Sequence, residues 1–221
     1  MVNSATKKCL VLAIVMCGLG ASLCVADTTT HVTTTPIGPS LTDWAKTLSF
    51  QQFDPSLGTL NLVTIDLNAS LSTIITITNA SGSSSNGFGI TQVELTVDDA
   101  GNNLNNPAIT LTSPTFSYSL GAGGSTTSLA LTQNGTSHDV YINPLVIAEF
   151  TGTGTFALNA STFTQTLLAN TGGNTFASQV TDADLGGSVT YDYSPVPEPA
   201  TIAMLSLGFV GMFRRRRKLS V

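Results

Sequence analysis

Val93-Glu94-Leu95-Thr96-Val97 sets an aliphatic side chain against a polar one at every step. A period of two puts the aliphatics on one face of an extended strand and the polar groups on the other. The pattern repeats along the chain in both directions. Leu71, Ile75 and Ile77 carry it before this stretch. Phe116, Tyr118 and Leu120, then Leu129 and Leu131, Val140 and Ile142, Phe156 and Leu158, and Val189, Tyr191 and Tyr193 carry it after. Their β-branched and aromatic character suits half-buried antiparallel strands. Turn-forming residues punctuate the runs at 82–87, 98–107, 121–125, Asn143-Pro144 and 170–174. Asn134-Gly135, between two alternating runs, reads as a two-residue hairpin turn. Between the two ends no segment shows a helical period of 3.6. The expected fold is all-β: an antiparallel β-sandwich, jelly-roll-like, of about eight to ten short strands.

The ends follow different rules. Lys7-Lys8 precede an apolar stretch from Cys9 to Leu23, and Cys24-Val25-Ala26 leads into Asp27. That order is a secretory signal peptide over residues 1–26, with cleavage expected between Ala26 and Asp27. A lipid-modified cysteine is set aside, because Met16 and Leu23 precede Cys17 and Cys24 where a small residue is required. Residues 27–45, threonine-rich with Pro36 and Pro39, read as a flexible leader ahead of a sandwich ectodomain at 46–194.

At the other end, within 195–221, Pro197-Glu198-Pro199 precede an apolar run from Ala200 to Phe213 and then Arg214-Arg215-Arg216-Arg217-Lys218. The prolines hold the entry extended. As a helix the 14 residues 200–213 span about 21 Å, short of a hydrocarbon core of about 30 Å. Arginine stems can snorkel to cover part of the deficit. Five adjacent cations cannot be buried unpaired in a domain core. They resist translocation, which keeps the arginine end inside and the preceding domain outside. The expected element is a short transmembrane helix with a basic stop.

Val196-Pro197-Glu198-Pro199-Ala200-Thr201, the Leu/Gly-rich run and the arginines together resemble the PEP-CTERM sorting signal of bacterial envelope proteins. The resemblance implies that an exosortase recognises Pro197, Glu198 and Pro199 and removes the tail, so that the chain occupies the inner membrane only transiently. The alternative is a plain anchor that is never cut, which has no use for the Pro-Glu-Pro entry. Phe53-Asp54-Pro55-Ser56-Leu57-Gly58-Thr59-Leu60 is similar to the start of the choice-of-anchor type E domain. Thr151-Gly152-Thr153-Gly154-Thr155 and Val189-Thr190-Tyr191-Asp192-Tyr193 fit the same family, over residues 50–193. That family is defined by varied C-terminal anchors and implies no activity.

The formal charge of −5 divides unevenly. Residues 27–199 hold one cation, Lys46, and all 13 carboxylates, a net −12. Such a surface repels phosphate, so nucleic acid is excluded as a partner. Cys9, Cys17 and Cys24 all lie in the signal peptide. The exported chain therefore has no disulfide, no thiolate nucleophile and no cysteine zinc site. Its length, about 170 residues, suits one domain with a good core.

Chemistry-bearing motifs are scarce. His31 lies in the leader, and His138 precedes Asp139 with no Gly-x-Ser-x-Gly elbow to frame a serine. Neither a zinc-protease helix motif nor a P-loop occurs. Gly152-Thr153-Gly154 has no helix after it and reads as a turn. Glu94 and Glu149 lack support as a glycosidase pair. No catalytic residue is assigned, and the chain is expected not to be an enzyme. Calcium is the one candidate cofactor. Asp98 and Asp99 share a loop with Asn102-Asn103 and Asn105-Asn106, and Asp182 and Asp184 offer a second place. Neither follows EF-hand spacing, and Asp and Asn also fill turns through their own backbone bonding, which is the leading reading. Trp44, between Leu41 and Leu48, suits core packing ahead of sugar stacking.

The expectation is an exported, exosortase-sorted protein of the cell envelope, cell surface or extracellular matrix. Its β domain is structural or adhesive and associated with polysaccharide. A carbohydrate- or calcium-binding lectin-like module is the alternative, and a hydrolase ranks last.

Overall fold

The alternating runs fuse into long strands in the computed structural model, which describes residues 28–105 and 107–196. The strands are β1 (Thr28–Thr33), β2 (Ile37–Leu41), β3 (Ala45–Gln51), β4 (Gly58–Asn79), β5 (Ser85–Asp99) and β6 (Ala108–Thr112). They continue with β7 (Phe116–Leu120), β8 (Ser125–Thr127), β9 (Leu131–Tyr141), β10 (Thr155–Thr171) and β11 (Thr175–Pro195), and one helix, α1 (Pro144–Phe150), lies between β9 and β10. One sheet is ordered β1-β11-β4-β8, with β2 also on β11 and β9 also on β4. The other is ordered β3-β10-β5-β6, with β7 also on β5. Both sheets are antiparallel, which makes the all-β sandwich that the alternation predicts. The expected signal peptide at 1–26 and the expected transmembrane helix at 200–213 lie outside the described residues.

The core lies between the two inner rows. β4 contributes Val63, Ile65, Leu67 and Leu71, β5 contributes Val93, Leu95 and Val97, and β11 contributes Leu185, Val189 and Tyr191. Each such side chain, taken fully from water, stabilises by about 1.5–3 kcal/mol. A second, smaller cluster holds Ile75 and Ile77 against Tyr118 and Leu120. Between them along β4 and β5 sits a buried layer of hydroxyls. Thr73 meets Thr181 at 2.7 Å and Thr91 at 3.3 Å. Thr91 also donates to Gln179 Oε1 at 3.0 Å, and Thr166 donates to the same oxygen. The layer satisfies itself across the two sheets, as buried polar groups must.

Four local expectations are corrected. The threonine-rich leader is not a flexible lead-in: β1 pairs with β11 from Thr28↔Tyr193 to Thr33↔Ser188, and Ile37 and Trp44 are buried. Threonine is polar but β-branched, so a run of it makes a good edge strand. Asn134-Gly135 is not a turn. β9 runs straight through it, with Asn134↔Ser70 and Gly135↔Ala69 in register on β4. Gly135 is there for close packing, since a Cβ would lie 2.6 Å from Leu111 Cδ2 and 3.0 Å from Ile109 Cγ2. At the end of the same strand the phase is inverted: Val140 and Ile142, the residue just past it, are 52% and 74% exposed, and Tyr141 between them is buried. Asn143-Pro144 opens a helix, with Asn143 Oδ1 accepting from the Leu145 N–H at 3.0 Å and proline at the first position.

Candidate functional sites

The residues assigned to sorting, Pro197, Glu198, Pro199 and the cationic block Arg214 to Lys218, lie outside the described residues, as do Ala26 and Asp27. The strand before them is described. β11 ends at Pro195, and its inner aromatic residues are anchored near that end. Phe53 meets Tyr191 edge-on at 5.9 Å and Tyr193 at 4.9 Å, and the Tyr191 hydroxyl donates to Gln51 O at 2.7 Å.

Of the calcium candidates, Asp99 is the one drawn into the fold. It ends β5 and is 5% exposed. Its Oδ2 accepts from the Asn103 N–H and its Oδ1 from the Leu104 N–H, each at 3.0 Å. Burial raises its pKa, but these two backbone bonds, a side-chain hydrogen bond with Glu149 and its own backbone N–H together hold the carboxyl below the usual range. Glu149, near the end of α1, comes to the same loop, where its Oε1 accepts from Asn103 Nδ2 at 2.5 Å. Burial pushes the Glu149 carboxyl up, the Asn103 bond lowers it, and the Asp99 charge and a hydrogen bond to Asp99 add to the rise. Two carboxylates from separate elements thus meet, one held ionised and one pushed towards its proton.

The other three candidates stand apart. Asp98 lines a shallow depression with Lys46, Thr47, Asn159 and Ser161. Asp184 accepts from the Ser70 N–H at 3.0 Å and the Ser70 hydroxyl at 2.5 Å. Asp182 sits opposite Leu41 on β11. Among the described residues no three of His, Cys, Asp and Glu group as metal ligands.

His138 Nδ1 lies 2.6 Å from Asp66 Oδ1 on an exposed sheet face, a cross-strand pair set by the β4–β9 register. The neighbouring Ser137 hydroxyl donates to Asp139 rather than to the histidine. His31 meets the Thr190 hydroxyl at 3.1 Å across β1 and β11. Glu94 faces out from the middle of β5, opposite Phe163. Trp44 is buried in the core, with the Lys46 ammonium 5.5 Å from its ring centroid. The sequence reading weighed Glu149 only as a partner for Glu94. Its approach to Asp99 depends on where α1 docks, and Asn143-Pro144 as a helix start was the one signal of that helix.

No curated protein matches the chain. Among solved structures it is similar to one from Mud crab tombus-like virus, with 10% identity over 82% of this chain and 84% of that chain and a TM-score of 0.16. It is also similar to the Gt strain of infectious bursal disease virus, with 10% identity, 79% and 42% coverage and a TM-score of 0.13. T=1 particles derived from infectious bursal virus match with 10% identity, 86% and 48% coverage and a TM-score of 0.15. Scores of this size carry nothing over to this chain. Residues 195–218 match the family model of the PEP-CTERM protein-sorting motif. The chain therefore carries a sorting motif of the kind recognised by exosortase, which implies export to the cell envelope or surface.

Proposed function

We propose that this protein is a non-enzymatic structural or adhesive component of the envelope or extracellular matrix, delivered through a cleaved signal peptide, held briefly by its transmembrane tail and released from it by exosortase. The observation that carries the reading is the order of parts in the tail: Pro197-Glu198-Pro199, then the apolar run, then the arginines, within the matched span 195–218. An extended peptide just outside the membrane is what a processing enzyme can grip, and the cations fix which side it lies on. Polysaccharide is the proposed partner of the sandwich in that matrix.

The ectodomain is read as choice-of-anchor type E. Its three sequence blocks come together around one side chain, which supports the reading. Phe53 packs edge-on against Tyr191 and tilted against Tyr193, bridges to Thr151, donates its N–H to Phe150 O at 2.8 Å and accepts from the Gly152 N–H at 2.9 Å.

The test is the intact mass of the protein from a host that has an exosortase. Wild type should lack residues 1–26 and the tail, and Glu198→Ala should keep the tail and stay membrane-bound. Normal processing of Glu198→Ala would sink the sorting reading and leave an ordinary anchor.

A further inference from the structure

Each sheet of the sandwich has an open edge on the same side. β3 covers β10 from Thr155↔Gln51 to Ser161↔Ala45, and the last backbone bond on that side runs from the Thr162 N–H to Trp44 O at 3.0 Å. The next outward N–H, that of Thr164, is taken by the Asp43 carboxylate at 2.9 Å. β2 covers β11 from Leu185↔Ile37 to Asp182↔Leu41, and the Thr42 N–H donates to Thr181 O at 2.9 Å. The chain therefore crosses from one sheet to the other through residues 42–44. Past that crossing, 165–171 of β10 and 175–180 of β11 have no strand beside them on this side among the described residues. Backbone groups alternate sides along a strand, so Thr166, Leu168 and Asn170 turn their N–H groups to the opening, as Thr162 turns its own to β3.

Open edges invite pairing with another chain, and proteins guard them with charge, proline or short strands. The other outer strands are guarded. β2 carries Pro39, β3 carries Lys46 and β9 carries Asp139, while β1, β6, β7 and β8 have three to six residues each. The β10–β11 edge has none of these protections: residues 150–181 contain no charged side chain, no histidine and no proline. Phe163 and Leu167 on β10, and Phe176 and Val180 on β11, are each more than half exposed. Residues 27–199 carry a net −12, so two copies repel one another, and they do so least where this neutral side faces its own kind.

We propose that this edge pairs with the same edge of a second copy, giving a two-fold dimer in which both sheets continue from one copy into the other. The step in the edge is self-complementary. About a two-fold axis normal to the sheets, β10 of one copy runs antiparallel to β10 of the other and fills the place beyond β3, while β11 does the same beyond β2. The tip that joins β10 to β11 then ends at the partner's 42–44 crossing. Seven residues of β10 give about 23 Å of ladder at 3.3 Å per residue, and the exposed Phe, Leu and Val side chains gain cross-strand neighbours. The pairing does not depend on the sorting reading.

The full chain in mild detergent would be run by sedimentation velocity, with hydrogen exchange read at the same concentrations. Between about 1 and 100 µM, the range of transient interfaces, it should pass from monomer to dimer. Added salt should favour the dimer by screening the shared negative charge. The amides of Thr166, Leu168 and Asn170 should gain protection as the dimer forms. Leu167→Lys on one sheet and Val180→Lys on the other should each weaken association by about tenfold or more, since every lysine meets its own copy across the axis. Leu129→Lys, 89% exposed between β8 and β9, should leave it unchanged. A chain that stays monomeric throughout overturns the proposal. So does a dimer that survives both lysine variants, which would place the contact elsewhere, in the tail for example. Protection of the three amides in the monomer at every concentration overturns it too, because a segment of the same chain would then cover the edge.

Discussion

The sandwich holds two apolar clusters of unequal size, and the same strands, β4 and β5, run through both. The larger draws on both sheets and the helix: Val63, Ile65, Val93 and Leu158 have no exposed surface, α1 adds Val146 and Phe150, and Trp44 and Tyr193 reach solvent at its rim. The smaller has far fewer buried members, Ile75, Ile77, Tyr118 and Leu120, so fewer neighbours surround each side chain. Between them lie Thr73, Thr91 and Thr181, which are bonded to one another or to Gln179 rather than packed against methyls. One pair of strands can therefore build a deep core and a shallow one, and the hydroxyl layer marks the boundary. Cavity cost follows how far the surroundings can collapse, so the two ends should respond differently to the same change.

The largest effect is expected from Leu95→Ala in the deep cluster, about 3–5 kcal/mol by denaturant unfolding, against about 2–3 kcal/mol for Ile77→Ala in the shallow one. Equal costs would mean the two clusters act as one core. Native-state hydrogen exchange sharpens the point, since amides around Ile77 should open before those around Leu95. Thr73→Val keeps the shape but leaves Thr181 without its 2.7 Å partner, and should cost about 1–3 kcal/mol. A stabilised Thr73→Val would show that the layer is merely tolerated.

The pH response at the deep end combines two opposite signs. Asp99 is shifted down, so its contribution is present above the usual aspartate range and is lost as pH falls through its folded value. Glu149 is shifted up, so its contribution is present at low pH and is lost as pH rises through its folded value. Thermal melts should therefore peak in mildly acidic buffer, and Glu149→Gln should flatten the alkaline side of that peak. The smallest effect belongs to the exposed pair: Asp66→Asn should change stability by no more than about 0.5 kcal/mol. A larger loss would mean His138 and Asp66 are held more tightly than their exposure implies.

Fold class was legible because inner rows such as Val93, Leu95 and Val97 follow the pleat without interruption. Phase was not legible where both rows carry apolar residues or neither does. The end of β9 has Val140 outside and a lone Tyr141 inside, with Ile142 exposed just past it, so only its partner β4 decides which face is buried. β10 repeats the problem, with Phe163 and Leu167 outside while Leu158, Ala160 and Thr162 set the inner row. Asn134-Gly135 matches a hairpin turn by composition, but the glycine is there to let Leu111 and Ile109 approach. The Asp-rich loop was legible as a place where oxygen ligands gather. That Glu149 would arrive there was not, because its position is set by the docking of a seven-residue helix about 50 positions away in sequence.

The pairing of β1 with β11 has a mechanical consequence. Thr28 stands opposite Tyr193, so the first and last strands of the domain lie side by side and its two ends leave together. A pull on the chain at Pro195 enters β11, which is hydrogen-bonded along both edges, to β4 on one side and to β1 and β2 on the other. The load is then shared in shear by many backbone bonds at once instead of peeling them one by one. A domain tethered through that strand would resist drag at the cell surface without a disulfide.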